Sequence, residues 1–333
     1  MELSTQNKHL IEISKKIFKP KTKKKSSAKI TMPEETRKLL QKSHPPIYFA
    51  AIHRSLWETT ASVVQINEHS TKTPYIIMGD NLPLKKLATK AGVIIYPRLK
   101  NKTIEESKKT ITETKQLLKI HWEKNHDIII FAGGGRAYDG IAKPFGKIGF
   151  EVAKEIAKRQ EIYVIPLVVD YKSFRKRELK KFIDYHLGKK EEAQALNILD
   201  WINFTEKTNT TYTRLGEPIK ITTNQHVAEI TKKTFQNALD LTKILPENIL
   251  ALAKLKTYNS LIYKNTEYNI EKIIEKLNNH KELCELENQK ELTKQYVLEN
   301  SMAPFKYGTK KDHAWSQHFT NLVKHHYEKL KLI

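Results

Sequence analysis

Two residues of the sequence, His53 and Glu58, combine a proton-accepting ring with a carboxylate about one helical turn away. His53 directly follows the apolar run 47–52, which predicts a buried strand, and a helical pattern begins at Ser55. The histidine is therefore expected at the carboxyl end of a strand, the edge where open α/β sheets bind ligands. An imidazole there can accept a hydroxyl proton near neutral pH, and Glu58 could hold one ring nitrogen so that the other faces a substrate.

The same residues also allow a purely structural interpretation. Ser55 and Glu58 have the spacing of a capping box, in which the glutamate turns back onto the start of its own helix. Both interpretations stay open on these residues alone, because one carboxylate could take either role at different moments.

A second group, Gly133, Gly134, Gly135 and Arg136, follows the apolar run 127–130. Backbone amides in such a turn can approach an anion closely, and the planar arginine fork suits a phosphate. The turn fits neither a P-loop nor a dinucleotide-binding fingerprint, because the later residues have the wrong spacing and types. A plain glycine turn is the alternative.

Other signals are weaker. Arg98 lies just past the apolar run 92–97, so it is expected at the end of another strand, with a surface arginine as the alternative. The basic segment 172–181 could touch a membrane or form a solvated helix. Four histidines near the C-terminus match no metal-ligand spacing and are expected to be surface or packing residues; they are His313, His318, His325 and His326.

The order of these patterns predicts an α/β fold, with a mainly parallel sheet flanked by helices and an α-helical C-terminal subdomain. Strands are predicted at 47–52, 75–78, 92–96, 127–131 and 162–169, with helices from 55, at 103–122 and at 148–159. Beyond residue 225 the strands stop and helical periodicity follows, with its clearest apolar stripe at 270–277. We divide the chain into a basic N-terminal arm (1–44), an α/β domain (45–225) and a helical subdomain (226–333).

The composition of the chain, above all its positive charge, indicates which kinds of partner it could bind. The 333 residues carry 59 Lys+Arg against 37 Asp+Glu, a net charge of +22, which favours nucleic acid, lipid headgroups or phosphorylated substrates. The one cysteine, Cys284, excludes an internal disulfide and a multi-cysteine zinc site. No apolar stretch approaches the roughly 18–20 residues that cross a bilayer, and the start lacks a signal-peptide core. We expect a soluble or peripheral intracellular protein, whose basic arm is either a solvated tail or a contact to anionic lipid.

Together, these groups resemble the glycerolipid acyltransferase family, and within it the glycerol-3-phosphate branch. The similarity covers about residues 45–255, and its motifs follow the family's order. They are H-x-x-x-x-D at 53–58, G-D-N-L at 79–82 with an apolar G…R stretch at 92–98, F-x-E-G-G-R-S at 131–137, an apolar run around a proline at 164–168, G-E-P-I at 216–219 and a helical segment at 245–250.

This resemblance implies acyl transfer from acyl-CoA or acyl-carrier protein to the 1-hydroxyl of glycerol 3-phosphate, in phospholipid biosynthesis. His53 would be the base, held by Glu58, and Arg98, Gly133–Gly135 and Arg136 would hold the phosphate. The implied partners are an acyl thioester donor, a glycerol phosphate or lysophospholipid acceptor and an anionic membrane surface, with no metal or other cofactor and no nucleic acid expected. The implied location is cytoplasmic and peripheral, on the inner face of the cell membrane.

Three other functions compete with this one. The nearest is the same chemistry on a lysophospholipid such as lysophosphatidate. A basic nucleic-acid-binding protein is supported by charge alone, and a catalytically inactive lipid-surface protein by departures from the family motifs. Glu58 stands where the family has Asp, Gly133 replaces a Glu, and Ala137 replaces a hydroxyl residue. The change at Gly133 leaves the identity of the acceptor open.

Overall fold

An eight-stranded sheet forms the centre of the described part of the chain. The computed structural model describes residues 28–54, 57–80, 85–90, 92–97, 102–171, 176–190, 211–259, 265–286, 291–301, 305 and 308–333. The strands are β1 (Ala28–Thr31), β2 (Ile47–Ala51), β3 (Tyr75–Gly79), β4 (Val93–Tyr96), β5 (Ile128–Phe131), β6 (Tyr163–Tyr171), β7 (Thr211–Leu215) and β8 (Ile219–Lys220). Their order across the sheet is β1-β7-β6-β2-β5-β3-β4, and β8 pairs with β6.

The sheet is mainly parallel, as the sequence predicted. Strands β2 to β6 all run in one direction, while β7 and β8 pair antiparallel to β6, and β1 runs parallel to β7. The central strand β2 lies between β5 and β6, and all five of its residues are buried. A strand covered on both faces needs a continuous apolar run, which is why β2 could be recognised in the sequence.

Helices cover both faces of the sheet. The helices of the described part of the chain are α1 (Glu34–Gln41), α2 (Trp57–Asn67), α3 (Lys85–Lys90), α4 (Ile104–Glu123), α5 (Ile148–Ile156), α6 (Lys176–His186), α7 (Val227–Leu241), α8 (Pro246–Asn259), α9 (Thr266–Leu277), α10 (Lys294–Asn300), α11 (Lys310–Leu322) and α12 (Lys324–Lys329). Because strand side chains alternate, Tyr48 packs with Trp122 and Phe150 on one face, while Phe49 packs with Leu40 and Ile66 on the other.

The helices from α8 onward form a layer of their own, which confirms the predicted α-helical C-terminal subdomain, whereas α7 packs against β6 and α5 in the α/β layer. Helix α8 packs against α9 and α11, and α11 also contacts α6. The predicted apolar stripe is the buried face of α9. Between α8 and α11, the buried Lys254 Nζ donates a hydrogen bond to Asp312 Oδ1 over 2.8 Å. In the described part of the chain, no helix is both long enough and apolar enough to cross a membrane.

The structure corrects the sequence interpretation near three boundaries. Residues 28–44, assigned to the basic arm, contribute β1 and α1 to the α/β layer, where Thr36 Oγ1 donates to the Gly216 carbonyl over 2.8 Å. Strand β7 was not predicted because Thr211–Leu215 is largely polar, although the sheet buries all five residues. Within the helical region predicted beyond residue 225, α9 is followed by a 3₁₀ turn at Asn278–Leu283, and α10 begins at Lys294.

Candidate active site

The groups singled out by their chemistry meet at the carboxyl edge of the sheet. Strands β2 and β5 are parallel neighbours with Ala51 opposite Phe131, so the segments that follow them emerge side by side. Main-chain hydrogen bonds fasten these segments together, from Ala132 N to the Ala51 carbonyl (3.2 Å) and from Ala137 N to the His53 carbonyl (2.9 Å). The predicted juxtaposition of His53 with the glycine turn follows from this parallel pairing.

His53 and Glu58 form a hydrogen-bonded pair. His53 Nδ1 lies 3.2 Å from Glu58 Oε2, and the imidazole packs against the Phe131 ring with the centroids 4.3 Å apart. The histidine side chain is 15% exposed and the glutamate side chain 1%. His53 Nε2 has no hydrogen-bond partner in the described part of the chain. One ring nitrogen is thus held from the protein side, and the other is available to a ligand.

Glu58 also binds the main chain at the start of its helix. Its Oε2 accepts a hydrogen bond of 2.7 Å from the Arg54 amide, and its Oε1 lies 3.9 Å from Arg54 Nε. The capping-box partner proposed from the sequence, Ser55, lies outside the described residues. One carboxylate oxygen contacts both the Arg54 amide and the His53 ring, so Glu58 can orient His53 while it holds the main chain, and the capping box with Ser55 stays a prediction.

Arg54 connects this pair to the rest of the molecule. Its buried guanidinium donates from Nη2 to Asp170 Oδ1 (2.8 Å) and to the Val169 carbonyl (3.1 Å), and from Nη1 to the Leu322 carbonyl (3.3 Å). Asp170 also accepts hydrogen bonds from Arg214 and from the Lys243 amide. The end of β6 and the end of α11 therefore both support the segment that carries His53.

Burial and nearby cations lower the pKa of His53 well below its ordinary 6.5. Burial has the largest effect, and the positive charges of Arg136 and Lys143 lower the pKa further. The ring is consequently neutral at pH 7, the form that accepts a proton. Lys143 was not singled out in the sequence, because no motif marks it; the course of the chain after the glycine turn brings it here.

The three glycines differ in what their positions require. A Cβ on Gly133 would lie 2.9 Å from the Lys143 carbonyl oxygen, Gly134 has a left-handed φ of +80°, and a Cβ on Gly135 would meet nothing within 4 Å. Because the chain passes so close at Lys143, a side chain at position 133 would clash, which gives a physical reason for a glycine there. The main-chain amides of Gly133, Gly135 and Arg136 have no acceptor in the described part of the chain.

The Arg136 side chain is more buried than we expect of an arginine that binds a phosphate. It is 9% exposed, its guanidinium lies over the Tyr138 ring at 4.8 Å, and its Nη1 is 4.0 Å from Glu178 Oε1. These contacts orient the fork, and its charge still acts on His53.

The other predicted residues lie on a neighbouring strand, in the helical layer or outside the described residues. Gly79 ends β3, the parallel neighbour of β5, so it lies at the same edge of the sheet, and the Asp80 amide after it donates to the Tyr96 carbonyl over 2.9 Å. Arg98, residues 1–27 and residues 172–175 are outside the described part of the chain. Two of the C-terminal histidines, His318 and His326, are packing residues, since both are buried and hydrogen-bond to main-chain carbonyls.

Comparison with known proteins gives one structural likeness to report. No protein-family model matches the sequence, and no curated protein matches it. A similar solved structure is the 1-acyl-sn-glycerophosphate (LPA) acyltransferase PlsC from Thermotoga maritima, with 14% sequence identity, a TM-score of 0.39, and coverage of 69% of this chain and 75% of that one. A likeness of this size assigns neither family nor activity, and the function proposed below rests on the geometry around His53.

Proposed function

We propose that the chain is an acyltransferase that moves a fatty acyl group from a thioester to the hydroxyl of a glycerol phosphate. The observation that carries this proposal is the His53–Glu58 pair at the carboxyl edge of the sheet. Its Nδ1 is held by a buried carboxylate, its Nε2 is open to a ligand, and its ring is neutral at pH 7. A neutral imidazole with one ring nitrogen held and the other open can take the proton of a hydroxyl group.

The reaction follows from these positions. His53 Nε2 accepts the hydroxyl proton as the hydroxyl oxygen attacks the thioester carbonyl carbon. Glu58 stabilises the imidazolium that forms, as the acid of a triad does. When the tetrahedral intermediate collapses, the new C–O bond remains, the C–S bond breaks, and the imidazolium returns its proton to the leaving thiolate.

The glycine turn and the cations beside it support an anionic acceptor. Amides in the segment of Gly133, Gly135 and Arg136 can donate to the developing oxyanion or to a phosphate, and Gly134 supplies the left-handed bend of such a nest. Arg136 and Lys143 place two positive charges near the ring. A phosphate held there would position the acceptor hydroxyl for attack. Arg98 stays a predicted further contact.

Glycerol 3-phosphate is the acceptor that the sequence motifs favour. The segments 79–82 and 133–136 resemble the glycerol-3-phosphate branch, and lysophosphatidate is the alternative acceptor for the same chemistry. The proposal includes work at an anionic membrane surface, which the net charge of +22 supports.

A matrix of donors and acceptors tests the proposal. The purified chain is given labelled acyl-CoA or acyl-carrier protein, each with glycerol 3-phosphate, dihydroxyacetone phosphate or lysophosphatidate, and the His53→Ala variant is the control. We expect label on the 1-hydroxyl of glycerol 3-phosphate and none with the variant. Transfer to lysophosphatidate alone would correct the acceptor, and no transfer to any acceptor would refute the proposed enzyme.

A further inference from the structure

The C-terminal end of α11 contacts both segments that form the candidate active site. The Asn321 side chain donates a hydrogen bond of 2.8 Å from Nδ2 to the Asp139 carbonyl, in the segment that follows the glycine turn. The carbonyl of the next residue, Leu322, accepts a hydrogen bond of 3.3 Å from Arg54 Nη1, in the segment that carries His53. Two successive residues of one helix therefore hold the two halves of the site.

The segment after the glycine turn packs closely against this end of the helix. Asn321 Oδ1 accepts a 3.1 Å hydrogen bond from Gln317 Nε2, one turn earlier in α11, so the amide nitrogen of Asn321 is directed at Asp139. A Cβ on Gly140 would lie 2.6 Å from the His318 carbonyl oxygen, and the left-handed φ of Gly140, +82°, also favours glycine. Asn321 is 9% exposed. Its hydrogen bond to the segment therefore lies in a close-packed interface.

The segment that α11 holds is also the segment that orients Arg136. The carbonyl bound by α11 is three residues from Arg136 along the chain, and the Arg136 guanidinium lies over the Tyr138 ring at 4.8 Å. Between them, the Ala137 amide donates to the His53 carbonyl over 2.9 Å. Burial and the charge of Arg136 lower the pKa of His53. A displacement of this segment would therefore move the arginine relative to the histidine ring.

We propose that Asn321 is a positioning residue for the acyl-transfer site, which fixes where Arg136 lies relative to His53. This inference rests on the proposed function, in which Arg136 holds the acceptor phosphate and His53 takes the proton of the acceptor hydroxyl. Asn321 acts through the segment 137–140 and not on the substrate. Its effect is on alignment, because a misplacement of about 1 Å between a base and its substrate can lower the rate by about 10²-fold.

Steady-state kinetics of Asn321→Ala test this role. The change removes no charge and leaves Arg136 and His53 in place, so kcat should fall by about ten- to a hundred-fold while the acceptor KM changes far less. Asn269→Ala is the matched control, because the buried Asn269 amide donates to Thr257 Oγ1 over 2.9 Å between α9 and α8, away from the site. The control should lose stability and keep the native kcat. Gln317→Ala removes the hydrogen bond that orients the Asn321 amide and should lower kcat by a smaller factor.

Nuclear magnetic resonance gives a second measurement that needs no turnover. In chains with isotope-labelled histidine and arginine, the His53 ring signals and the Arg136 Nε–H signal are identified by their loss in His53→Gln and Arg136→Lys. Both should shift in Asn321→Ala and stay in place in Asn269→Ala.

The outcomes separate this inference from the proposed function. A folded Asn321→Ala protein with native kcat, unchanged His53 and Arg136 signals in it, or an equal loss of kcat in Asn269→Ala would overturn the positioning role. If Asn321→Ala does not fold, a native kcat and unchanged signals in Gln317→Ala would overturn it instead. A native chain that transfers no acyl group would refute the proposed function, and the two signals would still decide whether Asn321 sets the position of Arg136.

Discussion

A histidine lies beside a buried carboxylate at both edges of the sheet, and the two pairs differ in their contacts. At the carboxyl edge, His53 hydrogen-bonds Glu58 and keeps Nε2 available to a ligand. At the amino edge, His44 precedes β2 and Asp127 precedes β5, with His44 Nε2 3.7 Å from Asp127 Oδ2 and both side chains at most 1% exposed. The first pair faces a ligand edge, and the second is enclosed by the protein.

The amino-edge pair holds strands together. Asp127 Oδ1 accepts a 3.0 Å hydrogen bond from the Ile47 amide, and Lys72 Nζ donates to the His44 carbonyl over 2.5 Å. These contacts join the starts of β2 and β5. A histidine–carboxylate pair is therefore not by itself a catalytic site. The two pairs differ in the access to one ring nitrogen and in the main-chain amides and cations beside it.

The largest expected difference between the two edges is in turnover. Glu58→Gln should lower the acyl-transfer rate by about 10²-fold or more, because the neutral amide no longer stabilises the imidazolium that forms. The melting temperature should change little. Asp127→Asn, the equivalent change at the other edge, should leave the rate unchanged. Steady-state rates and melting curves of both variants check this. A Glu58→Gln protein that melts earlier yet turns over normally would show that Glu58 only caps its helix.

Arg136 tests whether the carboxyl edge binds the acceptor through its phosphate. Arg136→Ala should raise the acceptor KM by roughly ten- to a hundred-fold and the thioester KM far less, because a charged hydrogen bond contributes about 1.5–3 kcal/mol. Arg136→Lys should recover only part, since a point charge cannot replace the fork. Arg159→Ala, which removes an exposed arginine paired with Glu123, is the control. Equal changes in both KM values would contradict the phosphate role.

Asp127 gives the amino edge a distinct pH dependence. Burial raises the pKa of Asp127 from 3.8 to about 7, so between those values the folded chain holds a proton that the unfolded chain has released. This carboxyl therefore lowers the stability as pH rises from about 4 to 7, by up to about 1.4 kcal/mol per pH unit. Asp127→Asn should gain stability relative to the native chain across that window in chemical denaturation. A constant difference from pH 4 to 7 would contradict the raised pKa.

The glycine turn gives the smallest expected effect. Gly133→Ala should destabilise the chain by about 1–3 kcal/mol, because its Cβ meets the Lys143 main chain at 2.9 Å. Gly135→Ala, with nothing within 4 Å of the added carbon, is the control and should change stability little. Thermal unfolding of the two variants compares them. Equal melting temperatures would show that the Lys143 segment moves aside easily, and the family's Glu could then be accommodated.

The sequence predicted the parts of the fold that continuous apolar runs specify. Strand β2, nearly all of β6 and the first half of β5 are buried, so continuous apolar runs mark them in the sequence. The groups that follow β2 and β5 could therefore be placed at one edge of the sheet. Strand β1 could not be found in this way, because Ala28–Thr31 has a single strongly apolar residue and depends on its pairing with β7.

The contacts that hold the candidate site in place cannot be predicted from the sequence. Arg54 is next to His53, but its hydrogen-bond partners Asp170 and Leu322 are 116 and 268 residues away along the chain. No local periodicity encodes contacts of that range. The enclosed environment of Arg136 is likewise a product of packing, because Glu178 comes from α6, far from the glycine turn along the chain.

One side-by-side measurement tests the central claim, that the pair at the carboxyl edge carries the chemistry. His53→Gln and His44→Gln are compared for transfer of a labelled acyl group to glycerol 3-phosphate at neutral pH, with melting curves of the same samples. We predict that His53→Gln loses about 10²–10⁴-fold in rate while keeping its melting temperature. His44→Gln should keep its rate and lose stability. A folded His53→Gln protein that transfers the acyl group at the native rate would contradict the role of His53 as the base.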